Sequence, residues 1–149
     1  MKLVSACLAG FPCRYDGRNL NRNAFVESLV QKGEAIPFCP EQMGGLPTPR
    51  QPAELRGGAG DEVLDGAARV VNRTGQDVTD AYLRGAREAL CACRRFGVTS
   101  AILKARSPSC GCGAVYDGTF SHTLRPGDGV TAALLRRNGI PVTTEEEFQ

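Results

Sequence analysis

A chain of 149 residues with 42% hydrophobic and 23% charged side chains has the size and balance of one soluble globular domain. Its net charge of +2 carries no strong nucleic-acid signature, and no apolar stretch approaches the roughly 20 residues of a membrane span. The amino terminus runs straight into a strand-like segment without a secretory leader pattern. A cytoplasmic setting is therefore expected, in which seven cysteines serve metal binding, catalysis or packing rather than disulfides.

Taken in chain order, Leu3 to Ala6 reads as a short buried strand closed by a glycine- and proline-containing turn. Asn21 to Lys32 has Phe25, Val26, Leu29 and Val30 at helical spacing and Gly33 as a stop. Glu34 to Phe38 reads as a second strand, which Pro37 assigns to an edge or a strand end. Gln42 to Gly60 is rich in proline and glycine without an apolar period and reads as a long functional loop. A small hairpin is expected from Ala67 to Val78 around Arg73-Thr74-Gly75. The strongest helix follows from about Thr79 to Phe96, capped by Thr79 or Asp77 and stopped by Gly97. Thr99 to Leu103 is a third core strand, Tyr116 to Thr123 a loop or irregular hairpin, Gly129 to Asn138 a helix, and Ile140 to Thr143 a last strand. Alternating strands and helices predict a single α/β domain over 1–149, with a mostly parallel sheet in Rossmann-like layering.

Three cysteines share one setting. Cys7 follows the first strand, Cys39 the second, and Cys110 follows the third through the turn Arg106-Ser107-Pro108-Ser109. In an open parallel sheet the carboxyl ends of the strands form the ligand-binding edge. Three thiols from distant segments would meet there, and three ligands without an obvious fourth fit a metal centre with an open position. Spacing alone leaves zinc, cuprous copper and iron–sulfur open. Cys13 and Cys112 are each a possible fourth ligand, sulfur relay or bystander. Cys91 and Cys93 sit two apart in the Thr79 helix, point to different faces and read as packing residues.

Glu41 and Ser107 are tied by sequence to proposed ligands, and a carboxylate and a hydroxyl beside a metal centre can position and deprotonate water. Taken alone they are a loop charge and a turn residue. Arg14, Asp16, Arg50 and Lys104 lie near the same turns and are candidates for holding substrate. Ser109, next to Cys110, is a further candidate. Gly127, Asp128 and Gly129 open a helix whose free N–H groups can receive a polar substrate edge, although an ordinary helix cap explains them too. His122 is the only histidine, which excludes a multi-histidine metal site.

The segments Ser5-Ala6-Cys7-Leu8-Ala9-Gly10, Cys13-Arg14-Tyr15-Asp16-Gly17, Cys39-Pro40-Glu41, Gly44-Gly45-Leu46-Pro47-Thr48-Pro49-Arg50, Ser107-Pro108-Ser109-Cys110-Gly111, Tyr116-Asp117-Gly118-Thr119-Phe120 and Gly127-Asp128-Gly129-Val130-Thr131 resemble, in order, a family long known as a domain of unknown function. Its characterised branch is the thiouracil desulfurases. The resemblance implies a [4Fe–4S] cluster held by Cys7, Cys39 and Cys110, with a fourth iron free to take the substrate's sulfur. It also implies a non-redox desulfuration of thiolated bases such as 2- or 4-thiouracil, with Glu41 and Ser107 placing the water. Cys112 lies outside the recognised pattern. An iron–sulfur carrier or accessory protein and a zinc-binding structural module are the competing readings. The partner expected is a small thiolated base, and the protein itself a monomer or small homo-oligomer.

Overall fold

The protein is described by a computed structural model over residues 1–148. Strands β1 (Lys2–Ser5), β2 (Ala35–Phe38), β5 (Ser100–Leu103) and β8 (Val142–Thr144) form a four-stranded, wholly parallel sheet in the order β2-β1-β5-β8. Pro37 does lie on an edge strand, where its missing N–H interrupts no ladder. Period-two alternation divides the strand residues between two cores. Leu3, Ala101 and Leu103 face helices α4 (Thr79–Arg95) and α5 (Val130–Arg137), joining Ala89, Leu90, Cys93, Ala132 and Leu135. Val4 and Ile102 face α1 (Ala24–Gln31), joining Val26 and Leu29. Both faces are covered, as a parallel sheet requires.

The helices follow local signals. Asn23 caps α1 by accepting the Val26 N–H at 3.1 Å. In α4 the buried residues Tyr82, Gly85, Ala86, Ala89, Leu90 and Cys93 trace one stripe at helical spacing. Asp77 accepts the Thr79 N–H at 2.9 Å, whereas the Thr79 hydroxyl turns away from the helix and accepts the Val70 N–H at 3.0 Å, so of the two candidate caps only Asp77 serves the helix end.

Two expectations need correction. The Gln42 to Gly60 segment is not simply loop: helix α2 (Pro40–Met43) runs into it, and it contains β3 (Ala53–Arg56). β3 pairs antiparallel with β4 (Arg69–Asn72), and the expected return arm after Gly75 is reduced to a single bridge between Val71 and Asp77. This sheet packs with α3 (Gly60–Leu64) through Leu55, Val63 and Val70 onto Tyr82 and Ala86 of α4. The Tyr116 to Thr123 segment, expected as a loop or irregular hairpin, is the tip of a hairpin formed by β6 (Ala114–Tyr116) with β7 (Leu124–Pro126).

Helix α2 reaches α4 because both present glycine at the contact. A Cβ on Gly85 would lie 1.9 Å from the Pro40 carbonyl oxygen, and one on Gly44 would lie 2.1 Å from that of Ala81. Gly85→Ala should therefore push α2 off α4. Overpacking of this kind costs about 1–3 kcal/mol. A chain of this length loses roughly 2–4 °C of Tm per kcal/mol, which thermal unfolding will register. An unchanged Tm would show that α2 is not seated as described.

Candidate metal centre and active site

The parallel strands deliver their carboxyl ends to one edge, and an open cleft of about 420 Å³ lies there. Cys7 enters from the 3₁₀ turn after β1, Cys39 from the end of β2, and Cys110 from the turn after β5. All three line the cleft together with Cys13. Cys91 is exposed, correcting its reading as a packing residue, whereas Cys93 is buried in the core, where desolvation pushes its thiol up to about 11. Cys112 does not line the cleft, and its thiol points to the Val142 carbonyl at 3.5 Å.

The cleft thiols are electrostatically unlike. Cys13 is buried and holds a proton that its neighbours accept, so hydrogen bonding to Cys39 and Cys7 raises its pKa. The same interaction is the main force lowering Cys39, to about 7, and Cys7. Cys110 is only 4% exposed, and desolvation pushes it up to about 12. Among the described residues no three His, Cys, Asp or Glu side chains converge on a point that one metal ion could occupy. A cluster makes a different demand, presenting separate iron atoms to separate thiolates. Thiols on three different segments around one cleft, two of them predisposed to ionise, fit that demand better than a tetrahedral zinc site does.

Glu41 lies in the first turn of α2, its position set by the Pro40–Gly85 contact. Its Oε1 accepts the Arg50 Nε–H at 2.9 Å and its Oε2 accepts the Ser109 hydroxyl at 2.9 Å. Arg50, predicted as a substrate contact, lines the cleft but gives most of its side-chain N–H groups to protein acceptors. Its other N–H groups reach the Cys13 carbonyl at 2.8 Å, the Thr48 hydroxyl at 2.9 Å and the Pro47 carbonyl at 3.2 Å. It fixes Glu41 and the Cys13 loop, and it also lines the cleft. Beneath the pair lies buried Tyr82, whose hydroxyl is held well above its usual pKa by desolvation and then by the Glu41 charge.

Ser107 holds the cysteine turn together: its Oγ accepts the N–H groups of Ser109 at 3.2 Å and Cys110 at 3.1 Å. Arg14 lines the cleft and is oriented by Asp16 (Nε–Oδ1 3.0 Å, Nη2–Oδ2 2.9 Å) and by Asn21 (3.1 Å). Asp16 itself is not in the lining. Lys104 lines the cleft with its ammonium paired to Glu145 at 2.7 Å.

Gly127, Asp128 and Gly129 are not in the cleft lining, which corrects their assignment to substrate. The helix end they open is already occupied by protein. The N–H groups of Val130 and Thr131 bond the carbonyls of Pro108 and Ser109 at 2.9 and 2.8 Å, and Gly129 N–H bonds that of Gly111 at 2.7 Å. Asp128 accepts the Gly113 N–H at 2.8 Å. The start of α5 thus braces the turn that carries Cys110. Asn21 was not found from sequence, and neither were Tyr82, Glu145 and the glycine seats at Gly44 and Gly85, each of which acts through a partner distant along the chain.

A profile of the 2-thiouracil desulfurase family matches residues 3–147. The chain belongs to that family. Among proteins similar to this desulfurase-family chain is YbbK of Bacillus subtilis (strain 168), 46% identical over 99% of this chain and 97% of the relative. Among solved structures, a [4Fe-4S]-dependent thiouracil desulfidase, TudS, superposes with a TM-score of 0.86 at 46% identity, over 97% of this chain and 90% of that one.

Two expectations follow for this family member. In the metal-free protein at pH 7.5, iodoacetamide should modify Cys39 well before Cys110, and the lag of Cys110 should shrink as pH rises, because thiolate is the reactive form and its fraction grows as pH climbs toward the pKa. Mass spectrometry of the alkylated peptides reads the order, and equal rates at the two sites would contradict the burial of Cys110. A Cβ at Gly129 would lie 2.5 Å from the Ser109 carbonyl carbon and 2.8 Å from the Cys110 nitrogen. Gly129→Ala should accordingly lower iron bound per chain after anaerobic reconstitution, and full iron content would remove the bracing role of α5.

Proposed function

We propose that this protein is a [4Fe–4S]-dependent desulfurase acting on small thiolated bases such as 2- or 4-thiouracil. The observation that carries the reading is the meeting of Cys7, Cys39, Cys110 and Glu41 in one cleft of a chain from this family. Cys7, Cys39 and Cys110 would hold the cluster. When bound, it supplies a Lewis-acidic iron free of protein ligands, which polarises and takes sulfur. The net reaction is hydrolytic: water adds its oxygen to the thiocarbonyl carbon, the carbon–sulfur bond breaks, and sulfur leaves as hydrosulfide without change of oxidation state.

The chain's own groups supply the rest. Glu41 accepts the proton of the attacking water, and Arg50 keeps its carboxylate oriented by holding Oε1. Ser107, fixed by two backbone donors, presents its hydroxyl at the same turn as Cys110. Arg14 and Lys104 are the cationic groups available to the polar edges of the base, each held by carboxylate partners. No described helix is long and apolar enough to cross a membrane. A cytoplasmic setting is proposed because it keeps the free thiols reduced. The unit is proposed to work as one domain over 1–149, as a monomer or small homo-oligomer.

Anaerobic purification and a hydrosulfide assay test the reading. Wild-type protein should be brown and release hydrosulfide from 2- or 4-thiouracil, whereas Cys39→Ala should lose iron and activity together. A colourless zinc protein, or a brown one that retains sulfur without turnover, would sink it in favour of a structural module or a carrier. Glu41→Gln should keep the cluster yet lose about 10²–10⁴-fold in turnover, the usual worth of general-base assistance. It should also cost some stability, because Arg50 keeps an acceptor but loses its counter-charge. Wild-type turnover in this variant would leave Glu41 as an anchor for Arg50 alone.

A further inference from the structure

We propose that Ser109 is a positioning residue that joins Ser107 and Glu41 into one directed hydrogen-bond chain, an inference that rests on the desulfurase reading above. Ser109 is 1% exposed, so its hydroxyl must find its partners within the protein. Three acceptors lie within reach of its single proton: Glu41 Oε2 at 2.9 Å, Ser107 Oγ at 3.1 Å and Cys110 Sγ at 3.6 Å. The carboxylate wins, because a charge-assisted O–H···O⁻ bond at that distance is stronger than a bond to a neutral hydroxyl and far stronger than a long contact to sulfur.

That choice fixes the next proton along. The Ser107 and Ser109 oxygens are 3.1 Å apart, and either could donate. Ser109 has given its proton to Glu41, so Ser107 must be the donor. The two lone pairs of Ser107 are already taken by the N–H groups of Ser109 and Cys110. The chain therefore runs one way, from Ser107 through Ser109 to Glu41, and ends on the oxygen that Arg50 does not hold. Ser109 keeps Glu41 Oε2 aimed toward the Cys110 turn and draws the Ser107 proton toward itself until a ligand competes for it. Neither task requires Ser109 to touch substrate.

The test compares anaerobically loaded wild type, Ser109→Ala, Ser109→Thr, Glu41→Gln and the Ser109→Ala/Glu41→Gln double variant. Ser109→Ala should keep its iron and its KM within about twofold, and lose about 10–100-fold in kcat, the range of one hydrogen bond to a charged group. Ser109→Thr, which keeps the hydroxyl, should recover most of that loss. Added to Glu41→Gln, the alanine should cost almost nothing more, since it acts through the group already removed. Infrared difference spectra should show a Glu41 carboxylate stretch, assigned by its absence in Glu41→Gln, that shifts in Ser109→Ala. An additive loss in the double variant, iron loss in Ser109→Ala, or an unshifted carboxylate band would each overturn the proposal. Should the threonine variant fail to fold, the double variant and the infrared band decide the matter alone. If wild type releases no hydrosulfide, the desulfurase reading fails and the proposed coupling fails with it. The infrared band then tells whether the Ser109–Glu41 contact itself exists.

Discussion

Parallel pairing of β2, β1 and β5 obliges their carboxyl ends to emerge along one edge, so residues 7, 39 and 110 meet although they are far apart in sequence. Parallel strands are short of local reinforcement, since each joins its neighbour through a long crossover. The ends must therefore be held by what lies around them. At the β2 end the support is steric: Gly85 and Gly44 let α2 lie directly on α4, which fixes Cys39 and Glu41 together. At the β5 end it is polar, with the first N–H groups of α5 bonding the carbonyls of Pro108 and Ser109. Glu145 adds a second brace there, accepting the Ala105 N–H at 2.8 Å and the Lys104 ammonium at 2.7 Å.

A carboxylate sunk beside a buried guanidinium is a poor source of stability, because desolvating both ions offsets most of their attraction. Arg50 and Glu41 are 7% and 14% exposed at their side chains and lie over the apolar wall containing Tyr82. The arrangement makes sense as orientation. Arg50 ties three segments, at Cys13, Glu41 and Thr48, and its own N–H bonds the Tyr15 carbonyl at 2.7 Å. Removing either ion would leave the other buried without its counter-charge, so the loop carrying Cys13 and the helix carrying Glu41 are bound to respond together.

Much of the site was legible because its signals are local. Short apolar runs ending in Cys7 and Cys39, and a Ser-Pro-Ser-Cys turn after a third run, need only strand periodicity and turn chemistry to be read. β3 was not legible: Ala53–Arg56 has no outward sign of a strand until β4 is set beside it, and the Gly75 turn advertised the wrong partner. The Gly127-Asp128-Gly129 opening was read correctly as donor-rich, but its acceptors are carbonyls some twenty residues earlier, which only the fold reveals. Arg50 was read only in part, for the same reason. Its motif marks it as important, while the engagement of most of its N–H groups by protein acceptors appears only when Cys13, Glu41 and Thr48 are brought together.

Burial alone does not sort the seven cysteines; the company each keeps does. Cys93 and Cys110 are about equally hidden, at 1% and 4% exposure. Cys93 is packed among the alanines and leucines of α4 and α5, with desolvation as the only influence on its thiol. Cys110 feels desolvation as well, yet the Ser5 hydroxyl works against it, and Cys7 and Cys39 lie close enough to repel its thiolate. A buried thiol beside other thiolates is costly to ionise until a cation arrives, and a cation offsets both the desolvation and the repulsion. Cys13 completes the set by keeping its proton, so that Cys7 and Cys39 can give theirs up. The cleft is thus prepared for positive charge bound by several sulfurs, a preparation that spacing among seven cysteines could not have expressed.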